Sequence, residues 1–468
     1  MDTSTRAAGF GETHFGTAEL GDRRRRNRLV RVADLLVQHP GGTLPDKCKR
    51  PPDLKALYRL MNQDAVTHAS VLASSVAHTT QRMAAVNGVV LIVHDTTELD
   101  YSGLSSMPDL GQIGDGHGRG YKCHNSLAVV ADTGEVLGLV NQILHRRRRA
   151  PRGEQRAQRR RCAERESRLW KQGSAALPPA PSGRLWVEVA DCAADITEFL
   201  DFADERQKTY VVRSQHDRNI VRENAEKSAE CKLHAFARSL PEMGRRCVQV
   251  QARPGQTART ATVRIGCSAL TIVPPRQPRG EERGALLQVW VVAVCEIDPP
   301  HGAESLEWIL LTNCPVESFE EAGRVIDWYT RRWIIEEYHK ALKTGCGIET
   351  LQFTSEDRLQ PAIALLSVVA LSLLQLRDAS RSPQAHTQPA SELFTELFVS
   401  VLSRWRHGDQ QPEMSVHDFC YALARLGGHQ NRKHDRPPGW VVLWRGWTKL
   451  QLMTEAISIM ASKTCGQT

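Results

Sequence analysis

Two apolar runs, each closed by an aspartate, constrain the fold of this chain most. Residues 88–95 read G-V-V-L-I-V-H-D, and residues 184–191 read R-L-W-V-E-V-A-D. Continuous apolar runs of this length are typical of strands buried on both faces, whose last residues project at the sheet edge. We therefore expect Asp95 and Asp191 at the ends of two buried strands. Either aspartate alone would be an ordinary turn residue.

The segments around these runs predict a mixed sheet. Strands are expected over residues 121–131 and 136–144, with the tight hairpin D-T-G-E between them. A helix over residues 194–205 and a strand over 209–213 follow the second aspartate. A strand meander, a helix, a strand, a helix and another strand have ribonuclease-H-like order within the α/β class. Residues 219–312 are β-rich, and we interpret them as a β-subdomain inserted into this core.

Residues 329–343 predict one long helix with two distinct faces. They read Y-T-R-R-W-I-I-E-E-Y-H-K-A-L-K, without Gly or Pro. At about 100° per residue, four polar side chains fall within roughly 60° of one another: Tyr329, Arg332, Glu336 and Lys343. The apolar residues lie opposite them, namely Ile334, Ile335, Tyr338, Ala341 and Leu342. One carboxylate among two cations and a phenol suits a face that binds a divalent cation and a phosphate.

A solvated amphipathic face is the alternative, with ordinary charge pairs such as Arg332 and Glu336 four residues apart. The spacing favours a functional face. The chain contains seven tyrosines, so the pattern Y-x-x-R-x-x-x-E-x-x-x-x-x-x-K arises by chance in about one chain in a thousand. The two upstream aspartates also lie where such a site would need them.

Asp95, Asp191 and Glu336 together offer the donors of a two-metal site. Mg²⁺ or Mn²⁺ binds carboxylate oxygens, and two such ions about 3.5–4 Å apart clamp the attacking and leaving oxygens of a phosphodiester. A glycosidase also uses paired carboxylates, but sugar sites favour aromatic platforms, and aromatic residues are 6% of this chain. A DNA-binding regulator without enzymatic activity would need none of the three acids.

The distribution of charge indicates a polyanionic partner. The chain has 61 Lys and Arg against 53 Asp and Glu. Residues 146–171 contain eleven Arg and one Lys against three Glu, a block that suits nucleic acid or forms a solvated charged loop. Residues 1–70 predict short basic helices that contact DNA, with these candidate contacts: Arg24, Arg28, Arg31, Tyr58 and Arg59.

The C-terminal part predicts helices that follow the core. An apolar helix is expected over residues 359–376, and residues 378–390 resemble a linker. We therefore divide the chain into a helical N-terminal domain (1–70), a core (71–377) and a helical C-terminal region (391–468). Near the end, Trp440, Trp444 and Trp447 either face a partner helix or fill a core.

No run of 18 consecutive apolar residues predicts a membrane span. The N-terminus MDTSTRAAGFGETHFG lacks the apolar segment of a signal peptide. The twelve cysteines are scattered without a C-x-x-C pair, which favours free thiols in a reducing compartment. We expect a cytoplasmic protein.

At these residues the chain resembles the cut-and-paste DDE transposases of bacterial insertion sequences, of the IS-four type. The resemblance covers nearly the whole chain. Its most specific segments are H-D-T-T-E-L at 94–99, D-x-x-A-D-I at 191–196, V-V-R-S at 211–214, W-I-L-L-T at 308–312 with V-E-S at 316–318, R-V-I-D-W-Y-T-R-R-W-I-I-E-E-Y-H-K-A-L-K-T-G at 324–345, A-L-A-R-L-G-G at 422–428 and W-x-x-L-W-x-G-W at 440–447.

The resemblance implies that Asp95, Asp191 and Glu336 are the metal-binding catalytic triad. It also implies DNA contacts from the following residues: Tyr329, Arg332 and Lys343 at the phosphates, Arg213 on the DNA and Trp308 against a flipped base. The implied partners are double-stranded DNA, as terminal inverted repeats and as target, and a second copy of the chain in a two-ended complex. The implied reactions are hydrolysis at the transposon end, hairpin formation and opening, and strand transfer, in a bacterial cytoplasm near the nucleoid.

The chain departs from the family pattern at two places. Cys192 and Ala193 follow the second aspartate where Arg and Glu are common, and Gln215 stands where a basic residue is common. These departures affect contacts from those side chains and leave both aspartates in place.

Overall fold

The computed structural model describes residues 9–464 apart from residues 40, 108, 149–150, 152, 156–157, 159–161, 163, 223–230, 251–257, 275–284 and 409–412. Within them, twelve strands form one sheet in the order β2-β3-β1-β5-β6-β12-β11-β10-β7-β8, with β4 beside β3 and β9 beside β10. The strands are β1 (Val90–Asp100), β2 (Gly111–Ile113), β3 (Gly118–Val130), β4 (Val136–His145), β5 (Trp186–Ala190), β6 (Thr209–Arg213), β7 (Asn219–Arg222), β8 (Cys231–Lys232), β9 (Gly244–Val250), β10 (Arg259–Ile272), β11 (Leu287–Glu296) and β12 (Glu307–Thr312).

Helices flank this sheet. The N-terminal set is α1 (Phe10–Phe15), α2 (Arg23–Gln38), α3 (Leu44–Cys48), α4 (Pro51–Met61) and α5 (His68–Ala85). The central set is α6 (Leu169–Ala175), α7 (Thr197–Glu205), α8 (Leu233–Ser239), α9 (Phe319–Thr330), α10 (Trp333–Lys340) and α11 (Glu356–Arg381). The C-terminal set is α12 (Glu396–His407), α13 (Val416–Leu426) and α14 (Trp440–Thr464).

The sheet is mixed, as predicted. Strand β1 pairs antiparallel with β3 and parallel with β5, and β5 pairs parallel with β6. The predicted hairpin joins β3 to β4, and its Gly134 has a φ of +74°, a conformation that costs glycine little. The apolar run of β1 is fully buried at Val90, Leu91 and Val93, so the run does form the centre of the core.

The predicted β insertion does not form a sheet of its own. Strand β12 pairs antiparallel with β6 of the core, Leu310 lying opposite Arg213. Strand β11 pairs with β12, and β10 pairs with β11, both antiparallel. Because β12 supplies this pairing edge, the strands of residues 219–312 extend the central sheet.

The long helix predicted over residues 329–343 is divided into three segments. Helix α9 ends at Thr330, α10 covers Trp333–Lys340, and a π-helical turn covers Ala341–Gly345. At the break, the Arg331 guanidinium donates to the carbonyl oxygens of Ala131 at 3.0 Å and Asp132 at 2.6 Å. This tertiary anchor at the β3–β4 hairpin cannot be read from helical periodicity.

Helix α11 is long and apolar enough to cross a membrane, yet 89% of its most apolar window is buried inside the protein. It extends into the residues that resembled a linker. Asp378 is buried, and its carboxylate accepts from the Val136 amide at 2.9 Å and from Arg377 at 2.6 Å. The chain after residue 378 is therefore structured against the core and does not begin as a linker.

The C-terminal tryptophans fill a core and do not face outward. Trp440 is 3% exposed, and the half-buried Trp447 stacks on Phe398 with ring centroids 5.0 Å apart. Core packing was one of the two interpretations left open by the sequence, and it applies to these two residues.

The N-terminal helices follow their predicted pattern. The Asp22 carboxylate accepts from the Arg24 amide and caps α2. Arg24, Arg28 and Arg31 are exposed on this helix, whereas its apolar residues are buried, namely Leu29, Val32, Ala33, Leu36 and Val37. The helix thus has a basic outer face.

Candidate active site

Asp95 and Asp191 lie side by side on one face of the sheet. The parallel register of β1 and β5 ends with His94 opposite Ala190. The next residue after each of these two is one of the aspartates. Because side chains alternate along a strand, both carboxylates project to the same face. The sequence predicted that Asp95 ends its strand, and this prediction is wrong, because β1 continues to Asp100 through its pairing with β3. It marks the end of the parallel pairing.

Helix α10 brings the third carboxylate to this face. The Arg332 guanidinium links the two elements, because its Nη1 lies 3.5 Å from Asp95 Oδ2 and 3.3 Å from Glu336 Oε1. Asp191 is held separately by its own turn, where its Oδ1 accepts from the Ala193 amide at 2.9 Å. Arg332 thus contacts two of the three acids predicted from separate parts of the sequence, and the third, Asp191, is near enough for its charge to act on Asp95.

The charges in this cluster are not balanced. Burial, together with the negative charges of Asp191 and Glu336, raises the pKa of Asp95 to about 7, against the opposing effects of Arg332 and the Thr96 amide. A carboxyl with so high a pKa pays a free-energy cost when it ionises in the folded protein. A bound cation would remove that cost.

We expect Asp95→Asn to raise the melting temperature of the cation-free protein more at about pH 8 than at about pH 5.5. The folded-state pKa of Asp95 is raised from 3.8 to about 7, so its destabilising effect grows as pH rises between these values and is complete above them. The difference between the two pH values should be on the order of 2 kcal/mol. Calorimetry with the exposed Asp64→Asn as control tests this, and equal gains at both pH values would contradict it.

His339 joins the acid cluster, although the sequence did not single it out. One ring nitrogen of His339 and one oxygen each of Asp95 and Glu336 lie within 4.8 Å of one another. Burial lowers the pKa of His339 to about 3, helped by the charges of Lys343 and Arg332, so the ring is neutral at physiological pH. Its spacing of three residues from Glu336 on one helix was the only available signal.

A second polar cluster supports the two strands from the opposite face. His94 Nε2 lies 3.1 Å from Glu188 Oε2, and Lys208 Nζ lies 3.2 Å from Glu188 Oε1. Burial alone would raise the pKa of Glu188, but His94 and Lys208 hold it below its usual value. Because His94 precedes Asp95 and Glu188 lies on β5, this hydrogen bond links the two strands next to the aspartates.

The residues of the core that were predicted to contact DNA lie in two places. Arg213, Trp308, Tyr329 and Arg332 line one cleft of about 1280 Å³ beside α10, and the rings of Trp308 and Tyr329 meet edge to face with centroids 5.1 Å apart. Lys343 is instead paired with Glu349 at 3.2 Å. Of the predicted helix face, Tyr329 and Arg332 therefore share the cleft, and Lys343 lies outside its lining.

This cleft is rich in guanidinium groups. Arginines from several parts of the chain line it, namely Arg213, Arg246, Arg331, Arg332, Arg377 and Arg381. Its walls come from the β3–β4 hairpin, from β9 and from the segment after α11. Five acids line the same cleft, and Arg246 and Arg377 are paired with some of them. Arg213 and Arg332, at the end of the cleft near the carboxylates, are the arginines best placed to contact a phosphodiester backbone.

The D-x-x-A-D box contains a structural aspartate that the sequence did not distinguish. Asp195 is fully buried, and it accepts from the amides of Gln215 and His216 at 2.8 Å each and from Arg218 at 2.7 Å. It therefore holds the loop after β6. The departure at Gln215 keeps this contact because the backbone amide makes it. At the other departure, Cys192 Sγ lies 3.2 Å from Arg213 Nη2.

The N-terminal candidates lie on α2 and α4. Tyr58 is half-buried and meets Phe353 edge to face at 5.5 Å, whereas Arg59 is exposed.

The described arginines at the start of the Arg-rich block are paired, Arg146 with Glu356 at 2.7 Å and Arg147 with Glu166 at 2.6 Å.

Two family models match the chain. Residues 7–66 match the model described as transposase DNA-binding. Residues 141–373 match the model described as transposase DDE domain. The second match contains Asp191 and Glu336, and Asp95 lies before it. The first match contains α2 and α4 with their exposed arginines.

A DDE domain implies a divalent metal site, and the donor set fits one. Carboxylate oxygens are the ligands that such cations prefer, and the cluster of Asp95, Glu336 and His339 gathers its donors within 4.8 Å. Burial and the charges of Asp191 and Glu336 raise the pKa of Asp95, so a cation bound there would favour the ionised carboxylate.

Proposed function

We propose, from the premise that this chain is a transposase with a DNA-binding domain and a DDE domain, that it moves DNA by a cut-and-paste route. The observation that carries the proposal is the proximity of Asp95, Asp191 and Glu336 to one another and to Arg332, which also lines the neighbouring cleft. We assign it to the IS-four type, close to the Tn-five transposase. Its steps would be hydrolysis at the transposon end, hairpin formation, hairpin opening and strand transfer into target DNA.

In this proposal Asp95, Asp191 and Glu336 hold Mg²⁺, or Mn²⁺, in a two-metal site. When bound, a divalent cation supplies positive charge to the phosphate and helps to activate the attacking oxygen. The carboxylates orient that charge, and Arg332, which contacts two of them, is placed to neutralise a non-bridging phosphate oxygen. Arg213 and Tyr329 extend the phosphate contacts along the cleft, and Lys343 joins them after leaving Glu349.

The domain division follows the same proposal. Residues 1–70 recognise transposon ends, with Arg24, Arg28, Arg31, Tyr58 and Arg59 as DNA contacts. Residues 71–377 form a ribonuclease-H-like catalytic core in which residues 219–312 are an insertion. The protein acts in the bacterial cytoplasm, at the nucleoid.

Residues 391–468 are proposed to join two copies of the chain in a two-ended complex. Apolar side chains are exposed along the last helix, Leu452 at 60% and Ile457 at 43%. Exposed apolar side chains of this size are common at protein interfaces. Pairing two copies would let one complex hold both transposon ends.

The direct test of this function is cleavage of DNA that carries the element's own terminal inverted repeats. With Mg²⁺, we expect nicks at the end, then hairpins that run as strands of double length on a denaturing gel. With Ca²⁺, binding should persist without cleavage. Scrambled terminal repeats provide the control. Equal cutting of scrambled and native ends, or no cutting of either, would refute the proposed function.

We expect Trp308→Ala to slow hairpin formation by about one to two powers of ten and to slow first-strand nicking much less. Trp308 is half-buried and lines the cleft, so its ring can receive a base that leaves the stack at the bend. Stacking a base on an aromatic ring contributes about 1–3 kcal/mol. Time courses on uncut and pre-nicked ends separate the two steps.

The melting temperature decides whether Trp308 acts in this way or only fills the core. An unchanged melting temperature with a selective hairpin defect supports base stacking. If both steps slow together and the protein melts several degrees lower, the residue is structural.

A further inference from the structure

The carboxylate cluster is one end of a polar row that crosses the sheet. The register places Asp95 opposite Asn125 on β3 and Asn125 opposite Gln142 on β4. These three side chains share one face of adjacent strands. Asn125 and Gln142 are both buried, in positions where apolar side chains would ordinarily stand. The burial of these two polar side chains therefore calls for a structural or functional explanation.

Every amide in this row is oriented by hydrogen bonds. Gln142 Nε2 donates to Asn125 Oδ1 at 2.8 Å and to Ser367 Oγ at 2.9 Å. With its oxygen so occupied, Asn125 presents Nδ2, which donates to the Cys123 carbonyl at 3.3 Å and lies 3.1 Å from His339 Nε2. The far end is closed by His68, whose Nε2 lies 3.0 Å from Gln142 Oε1.

This orientation fixes the tautomer of His339. Because Asn125 Nδ2 is a donor, His339 Nε2 must accept, and the ring proton of the neutral imidazole lies on Nδ1. Nε2 is therefore the nitrogen that keeps a lone pair. A neutral imidazole with a fixed lone pair is the form in which histidine binds metal ions.

We propose that His339 is a nitrogen ligand, through Nε2, of the cation held by Asp95 and Glu336. Asn125 occupies the lone pair in the cation-free protein and yields it on binding, while the Asn125 amide keeps its bond to the Cys123 carbonyl. The inference rests on the proposed cation-dependent function and deepens it, since the resemblance assigned only carboxylates to this site.

A nitrogen ligand changes which cation the site prefers. Mg²⁺ favours oxygen donors throughout its coordination sphere, whereas imidazole strengthens binding of transition-metal ions such as Mn²⁺ and Co²⁺. The site should therefore bind Mn²⁺ more tightly than Mg²⁺, and His339 should account for the difference.

Binding of Mn²⁺ and Mg²⁺ to the full chain tests the inference without any cleavage assay. Free Mn²⁺ is counted by electron paramagnetic resonance, and Mg²⁺ is measured by its competition with Mn²⁺. His339→Asn should weaken Mn²⁺ binding at least about tenfold, a loss seen even when only a partner that orients a ligand is removed. Mg²⁺ binding should change less than about threefold.

His14→Asn is the matched control. His14 is also buried, at 1% exposure, with a pKa lowered to about 3 by burial. Its Nδ1 lies 3.0 Å from Ser75 Oγ in the N-terminal helices. This variant should leave the binding of both cations unchanged. Equal losses of Mn²⁺ and Mg²⁺ in His339→Asn, or no loss of either, would overturn the inference.

Pulsed paramagnetic resonance of Mn²⁺ bound to the unaltered protein gives a second measurement that needs no variant. A nitrogen coupling supports His339 as a ligand, and bound Mn²⁺ without such coupling overturns that role. Failure of the proposed function has a different signature, because neither cation would then bind in a manner that depends on Asp95.

Discussion

Replacing Asp95 by asparagine is expected to reduce cleavage of transposon ends by about a thousandfold or more while end binding stays nearly unchanged. Asparagine keeps the shape of the side chain and removes the charge. The lost rate corresponds to roughly 4 kcal/mol of transition-state stabilisation, which we expect because the carboxylates are proposed to hold a cation whose charge acts on the phosphate. Asp191→Asn and Glu336→Gln should have the same effect.

Binding and cleavage are measured on the same labelled end, by gel shift in Ca²⁺ and by product formation in Mg²⁺. Asp100→Asn is the control, since Asp100 lies on the same strand but is exposed. Retained Mg²⁺-dependent cleavage in any one triad variant would remove that residue from the catalytic assignment. Loss of end binding in all three would mean that the substitutions act on the fold.

Raising salt from about 50 to 200 mM is expected to weaken end binding by about a thousandfold. A protein that contacts six to ten phosphates releases as many counterions, and affinity falls by about 10³–10⁵ over this range. Helix α2 supplies part of this effect from its exposed arginines. The Arg24, Arg28 and Arg31→Gln triple variant should bind more weakly at every salt concentration and flatten the logarithmic salt slope by nearly three.

Three exposed C-terminal arginines provide a control with the same change in net charge, namely Arg404, Arg406 and Arg445, each replaced by glutamine. A fluorescence titration at four salt concentrations compares the three proteins. Equal slopes in the two variants would show that the basic face of α2 is not a specific DNA contact. A nearly flat slope in the unaltered protein would exclude extensive phosphate contacts.

Much of the fold could be predicted because local patterns are strong where burial is complete. The apolar runs before Asp95 and Asp191 became β1 and β5, and the hairpin between β3 and β4 formed where D-T-G-E predicted it. Strand β6 has the predicted bounds. These segments bury nearly all their side chains, so hydrophobic periodicity and turn residues are sufficient to identify them.

The helix of residues 329–343 shows where local patterns fail. Its composition predicts continuity, but helix α9 ends at Thr330, beside Arg331, whose guanidinium donates to carbonyl oxygens of a distant hairpin. Tyr329 and Lys343 consequently belong to different segments, one lining the cleft and the other paired with Glu349. Wheel geometry holds only while the helix is unbroken.

By itself, the sequence indicated three candidate acids, the family resemblance and the strands beside two of the acids. These could be predicted because a strand or helix shows its own periodicity and the acids stand at marked positions in it. Only the tertiary structure decided that Asp95 stands opposite Asn125 and that His339 reaches the same cluster. The helix docking joins Asn125 to His339, 214 positions apart, and the free energy that selects register and docking comes from packing between elements, which no local pattern contains.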